Sequence, residues 1–252
     1  MLNIQRGLIS MREHIKSFIK GIPMIGPSLV KVKGKILEKS QQRKMPPEPF
    51  STSERYWAQR YKAGGNSGAG SYGKLAEFKA EIINDFVKKY DVRTIIEFGC
   101  GDGNQLRIAD YPNYLGFDVS GEAIALCNKN FNKDHSKTFK LLNEYDGQTA
   151  HLILSLDVIY HLIEDEIFDS YMRRLFMSSE RFVIIYSSNT SSNKEGQASH
   201  VKHRKFTTWI EANEPSWELD QYIPNKYPLK NNFPTGSFAD FYIFRRNAES
   251  CG

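Results

Sequence analysis

The chain has 252 residues, 40% of them hydrophobic, enough for a packed domain of about 200 residues plus an appendage. Its three cysteines, Cys100, Cys127 and Cys251, have no CxxC spacing, which argues against a disulfide framework and a cysteine zinc site and points to a reducing cytosol. The net charge of +5 is uneven: residues 1–50 hold ten Lys or Arg against three acids (+7), the remainder 24 against 26 (−2), so no nucleic-acid-binding stripe is expected on the main domain.

In chain order, Ile4, Leu8, Met11, Ile15 and Phe18 recur at alternating spacings of four and three, an amphipathic helical stripe, with Arg6, Arg12, Lys16 and Lys20 largely off it. The proline-rich stretch from Gln41 to Pro49 then reads as a linker, dividing the chain into a basic appendage over 1–50 and a main domain over 51–252. Such a helix can pack on its own domain, dock on a protein or lie on an anionic membrane. A peripheral membrane or protein partner is therefore one expectation for the arm. The location expected for the protein is cytoplasmic, at most peripheral to a membrane. No run approaches the roughly 18 apolar residues of a membrane span, and charges interrupt the start too often for a signal peptide.

Between Tyr56 and Gly73, five glycines (Gly64, Gly65, Gly68, Gly70, Gly73) fall among Trp57, Tyr61 and Tyr72. Glycines this dense resist regular structure, while the aromatics need a surface to cover, which predicts a loop serving as a lid. Arg60 within it can reach a carboxylate. A helix is predicted over about 74–90, then a strand over 93–98 whose apolar run ends in Glu97. Gly99, Gly101 and Gly103 follow in alternation, a turn whose backbone N–H groups can approach a ligand closely. After a short helix over 103–109, a second strand over 113–118 ends in Asp118, about 20 residues beyond the turn, where doubly wound folds place a ribose-binding carboxylate.

The glycines do not follow the dinucleotide fingerprint, and an acid beside the turn repels phosphate and welcomes an ammonium. This Glu-x-Gly-x-Gly-x-Gly turn with its second-strand acid resembles the class I S-adenosylmethionine-dependent methyltransferases. The resemblance implies a Rossmann-like α/β fold: a seven-stranded, mostly parallel sheet with helices on both faces and an antiparallel edge strand near the C-terminus. It implies S-adenosyl-L-methionine as cofactor and in-line methyl transfer. Gly99, Gly101 and Gly103 are then expected along its methionine and ribose, Glu97 near its ammonium, Asp118 on the ribose hydroxyls, and Arg60 and Tyr61 in the lid above it.

A helix over 120–131 and a strand over 138–142 lead to a strand over 151–156 that runs into Asp157-Val-Ile-Tyr-His161. In the family this strand end faces the transferred methyl, which makes Asp157 and residues 158–161 the expected floor of the site and His161 the candidate general base. The residue contacting adenine is left open between Glu144 and Asp146. A helix over 163–177, a strand over 181–187, a helix over 206–213 and strands over 217–223 and 238–245 complete the order.

His200, His203 and Arg204 lie in a basic stretch after the fifth strand, on the rim expected to hold the cofactor. With Tyr72 they are the candidate substrate contacts, Arg204 forking onto a phosphate or carboxylate. A metal on His200, His203 and Asp157 lacks a completing acid pair, and none is expected. The expected function is O-methylation of a small anionic or sugar- or phosphate-containing metabolite or glycan precursor. The glycine-rich lid and the His-x-x-His-Arg cluster look similar to bacterial methyltransferases of surface-polysaccharide contexts. The alternatives are a non-catalytic cofactor-binding scaffold docking through the basic arm, or methylation of protein or RNA.

Overall fold

The computed structural model describes residues 50–195, 197–229 and 236–247. The amphipathic stripe and linker expected over 1–49 lie outside the described residues. Seven strands form one sheet in the order β3-β2-β1-β4-β5-β7-β6. They are β1 (Thr94–Phe98), β2 (Asn113–Asp118), β3 (Lys137–Leu141), β4 (Ala150–Leu156), β5 (Ser179–Ser187), β6 (Trp217–Ile223) and β7 (Asp240–Arg246). The first five are parallel and an antiparallel strand near the C-terminus is present as expected, but that strand, β7, is inserted between β5 and β6, and the edge is formed by β6. The central strands read as unbroken apolar runs because both faces are covered: Ile95, Leu152 and Ile184 join one core cluster, Ile96, Ile153 and Val183 the other.

Helix α1 (Ser53–Lys62) precedes α2 (Gly73–Lys89), and α3 (Gly121–Asn130), α4 (Asp165–Met177) and α5 (Phe206–Asn213) follow between strands. Helix α2 buries Phe78, Ile83, Phe86 and Val87 in the first cluster; α4 buries Phe168, Met172, Leu175 and Phe176 in the second. Among the described residues, no helix is long and apolar enough to cross a membrane.

Two local expectations are corrected. The segment Tyr56 to Lys62 is helical: the glycines begin only at Gly64, and Thr52 Oγ1 caps α1 by accepting from Arg55 N at 3.2 Å, a cap worth about 1 kcal/mol. The helix expected over 103–109 is a single 3₁₀ turn, Gln105–Ile108, because Gly103 sits at φ 72° and Pro112 leaves no room for a longer run. Between β3 and β4 the crossover carries one 3₁₀ turn, Leu142–Glu144, and no α-helix.

Candidate active site

The carboxyl ends of β1, β2 and β4 open into a cavity of about 710 Å³, roofed by α1 and the glycine segment after it. This is where an open parallel sheet forms a crevice, since the loops leaving β1 and β4 diverge to opposite faces. Glu97, Gly99, Gly101, Asp118, Asp157, Tyr61 and His161 all line it. Gly103, Arg60, Tyr72, His200, His203 and Arg204 do not.

Glu97 is buried and accepts from Tyr114 Oη at 2.7 Å. Burial pushes its carboxyl up to about 7, against the lowering effects of that hydrogen bond and of Lys79. Asp118 ties the first two strand ends together, accepting from Gly101 N (2.9 Å) and Ser120 N (2.9 Å). Its carboxyl is raised by burial, which those backbone donors only partly offset. Gln105, unremarked in the sequence, also lines the cavity, and its buried Oε1 has no hydrogen-bond partner while its Nε2 donates to Ala76 O at 2.9 Å.

The turn is made of glycine for two reasons. Gly99 and Gly101 adopt φ of 89° and 58°, which side chains rarely tolerate. A Cβ at Gly101 would also collide with Ser67 Oγ and Tyr61 Oη of the roof, and one at Gly99 with Val158. Gly103 instead lets Phe131 and Cys127 pack close, a role in seating α3.

The roof is fastened to the turn through Asp102. That carboxylate accepts from Ser67 N (3.1 Å), Tyr72 Oη (2.8 Å) and Asn104 N (3.0 Å), while Ser67 Oγ accepts from Asp102 N (3.0 Å) and meets Tyr61 Oη at 2.8 Å. Burial opposes ionisation of Asp102, yet these bonds hold its carboxyl below the ordinary value. Tyr72, expected on a substrate, is thus a clasp on Asp102. Arg60, expected on a carboxylate, donates through Nε to Asn66 O at 2.7 Å and lies over Trp57.

At the floor, Asp157 follows β4 with φ 61°, a costly backbone for a residue with a side chain. Lys79 Nζ donates to its Oδ2 at 2.7 Å and Tyr160 Oη to its Oδ1 at 2.7 Å. A Cβ at Gly70 would come within 2.6 Å of Oδ2, so the roof backbone closes directly on this carboxylate. Lys79 was not singled out in the sequence. Its signal is spacing: it lies four residues from Leu75 and Ile83, on the buried stripe of α2.

His161 Nδ1 is 2.8 Å from the carbonyl oxygen of His200. A carbonyl only accepts, so Nδ1 carries the proton and Nε2 the lone pair. Burial lowers its pKa to about 4. The ring packs edge-on against Trp57 and parallel to His200, which stacks on Tyr56 at 4.3 Å.

The basic stretch is arranged otherwise than expected. Arg204 donates through Nη1 to Leu162 O, through Nη2 to Ile163 O (2.8 Å), and through Nε and Nη2 to Asp165 Oδ1 (3.1 and 2.7 Å), with Phe168 against its face. A guanidinium so engaged braces the loop before α4 rather than awaiting an anion. His203 Nδ1 bonds Ser188 Oγ at 2.6 Å, outside the cavity. Of the two acids left open for adenine, Glu144 caps its own turn by accepting from Leu141 N (2.8 Å), Asp146 N donates to Gln148, and neither lines the cavity; Leu142 does.

No family model matches the chain, and no curated protein matches it in sequence. Solved structures do match. The N-methyltransferase NodS from Bradyrhizobium japonicum, in complex with S-adenosylhomocysteine, superposes with a TM-score of 0.61 at 12% identity over 78% of this chain and 99% of its own. Magnesium protoporphyrin IX methyltransferase from Synechocystis, with S-adenosylhomocysteine bound, gives 0.57 at 11% over 77% and 98%. The methyltransferase domain of bacterial CtHen1 gives 0.53 at 16% over 68% and 97%. The described chain has the class I methyltransferase fold.

Proposed function

We propose that this protein is an S-adenosylmethionine-dependent methyltransferase acting on a small molecule held in the roofed cavity. The observation that carries this reading is the set of acceptors at the glycine turn: buried Glu97 and Asp118, and the unpartnered Oε1 of Gln105. A cationic, hydroxyl-bearing cofactor satisfies them; a pyrophosphate does not. Glu97 and Gln105 are the residues to hold its ammonium, Asp118 its ribose hydroxyls. When bound, the cofactor supplies an electrophilic methyl group. A volume of about 710 Å³ accommodates it together with an acceptor.

On the acceptor side, neutral His161 with its lone pair on Nε2 is the group to receive a proton. The exposed acids Glu54 and Glu166 on the cavity wall disfavour a polyphosphate, and Arg204 is committed to Asp165. Oxygen methylation of a hydroxyl-bearing metabolite is the form of the reading that these residues support. Calorimetry with S-adenosylhomocysteine tests it. We expect saturable binding to the full chain and at least about a tenfold loss in Asp118→Ala; no heat with the wild type overturns the proposal, and binding without any methylated product from a metabolite pool leaves the cofactor-binding scaffold.

A further inference from the structure

We propose that Lys79 Nζ is the hydrogen-bond donor to the reacting atom of the acceptor, and that this atom is an acidic, phenol- or enol-like hydroxyl oxygen. The inference rests on the functional reading above and deepens it.

The side chain of Lys79 is only 1% exposed, yet it forms part of the cavity wall. Removing an ammonium from water costs several kcal/mol, and an apolar residue would fill this place on the buried stripe of α2 without that penalty. Part of the cost is offset by Asp157 at 2.7 Å and by the face of Tyr186 at 5.2 Å. An ammonium has three N–H groups. Among the described residues its one hydrogen-bond partner is Asp157 Oδ2, so the remaining donors lack a protein acceptor at a cavity wall. Buried donors left in that state call for a ligand atom.

Sheet order says which ligand. Along β2-β1-β4-β5 lie Asp118, Glu97, Asp157 and Tyr186 in turn. The first two serve ribose and ammonium in the proposed function, so Lys79, between the ends of β4 and β5, stands beyond the cofactor's amino acid end, on the acceptor side. Charge then narrows the atom. Lys79 and Asp157 sum to zero, and a full carboxylate at Nζ would face Asp157 at close range. A hydroxyl that ionises as it reacts suits a neutral pair whose ammonium turns toward it. An acidic hydroxyl also suits His161, whose neutral ring is a weak base.

The test uses the full chain saturated with S-adenosylhomocysteine and 4-nitrophenol as probe, its phenolate band read against pH. With the wild type, the bound probe's apparent pKa should fall by about one unit or more, as an adjacent ammonium favours phenolate. In K79M, and in K79M/D157N, the shift should vanish; in the double variant, which removes the opposing influences of Lys79 and Asp157 on Glu97 together and leaves no uncompensated carboxylate, S-adenosylhomocysteine affinity should stay within about twofold. K79R should retain part of it. Absence of a shift in the loaded wild type, or its persistence in both variants, overturns the inference alone. If K79M/D157N weakens S-adenosylhomocysteine about tenfold but not 5′-methylthioadenosine, which lacks the amino acid part, Lys79 serves the cofactor carboxylate and the inference is likewise overturned. If the wild type binds no S-adenosylhomocysteine, the functional reading fails first and this one with it.

Discussion

His161 donates from Nδ1 to the carbonyl oxygen of His200 across 2.8 Å, joining the loop after β4 to the loop after β5 and fixing which imidazole nitrogen is free. A residue 39 positions away in the chain thereby sets the tautomer of the candidate base.

That arrangement predicts a split in kinetics. H161Q should lower kcat by about 10²-fold or more with S-adenosylhomocysteine affinity unchanged, once an acceptor is in hand. It should also change acid stability. The folded pKa is about 4 against 6.5 for the free side chain, so the unfolded chain takes up a proton first, and stability falls as pH drops from 6.5 towards 4, by up to about 3 kcal/mol. Urea melts at pH 7 and pH 5 should show a smaller difference for H161Q than for the wild type; equal slopes would mean the ring is solvated.

Glu97 gives the opposite window. Its folded pKa of about 7 lies above the ordinary 4.5, so its burial costs stability increasingly from pH 4.5 to 7 and fully above. E97Q, still able to accept from Tyr114, should be more stable than the wild type at pH 8, by an amount that shrinks towards pH 5. An incoming ammonium reverses the shift, so S-adenosylhomocysteine binding at pH 6.5 should release protons. Calorimetry in two buffers of different ionisation enthalpy measures that release, and E97Q should abolish it.

The contact between Gly70 and Asp157 makes roof closure sensitive to a single methyl. G70A should displace the roof because Oδ2 of an ion-paired carboxylate cannot retreat. Faster proteolysis within residues 64–70, with little change in Tm, is the expected signature; unchanged protection would place the flexibility in Asp157 instead.

Arg204 should behave as a structural residue. Arg204→Ala removes bonds to Leu162 O, Ile163 O and Asp165, and should cost about 1–3 kcal/mol in denaturant unfolding. A raised KM with unchanged stability would return this side chain to a substrate role.

Much of the fold is legible because its signals are local. The apolar run into Glu97 and the left-handed turn that only glycine makes easily are contiguous, and the second acid at Asp118 follows one strand later, about 20 residues on. Parallel strands buried on both faces advertise themselves as unbroken apolar runs, so the succession of strands along the chain and their parallel pairing follow from periodicity and connection, whereas their order across the sheet is a property of the folded chain.

Which polar groups meet is a different matter. Lys79 and Asp157 are 78 residues apart, Arg204 and Leu162 42, Tyr72 and Asp102 30. Their chemistry is decided by the partner each finds, because a guanidinium with its donors spent is a brace and a buried ammonium with donors to spare is a binding group. Composition and spacing determined the sheet, the turn and the acids of this protein. Only the packed chain decided which cations and histidines are free to act, since hydrogen-bond satisfaction belongs to neighbours in space and not in sequence.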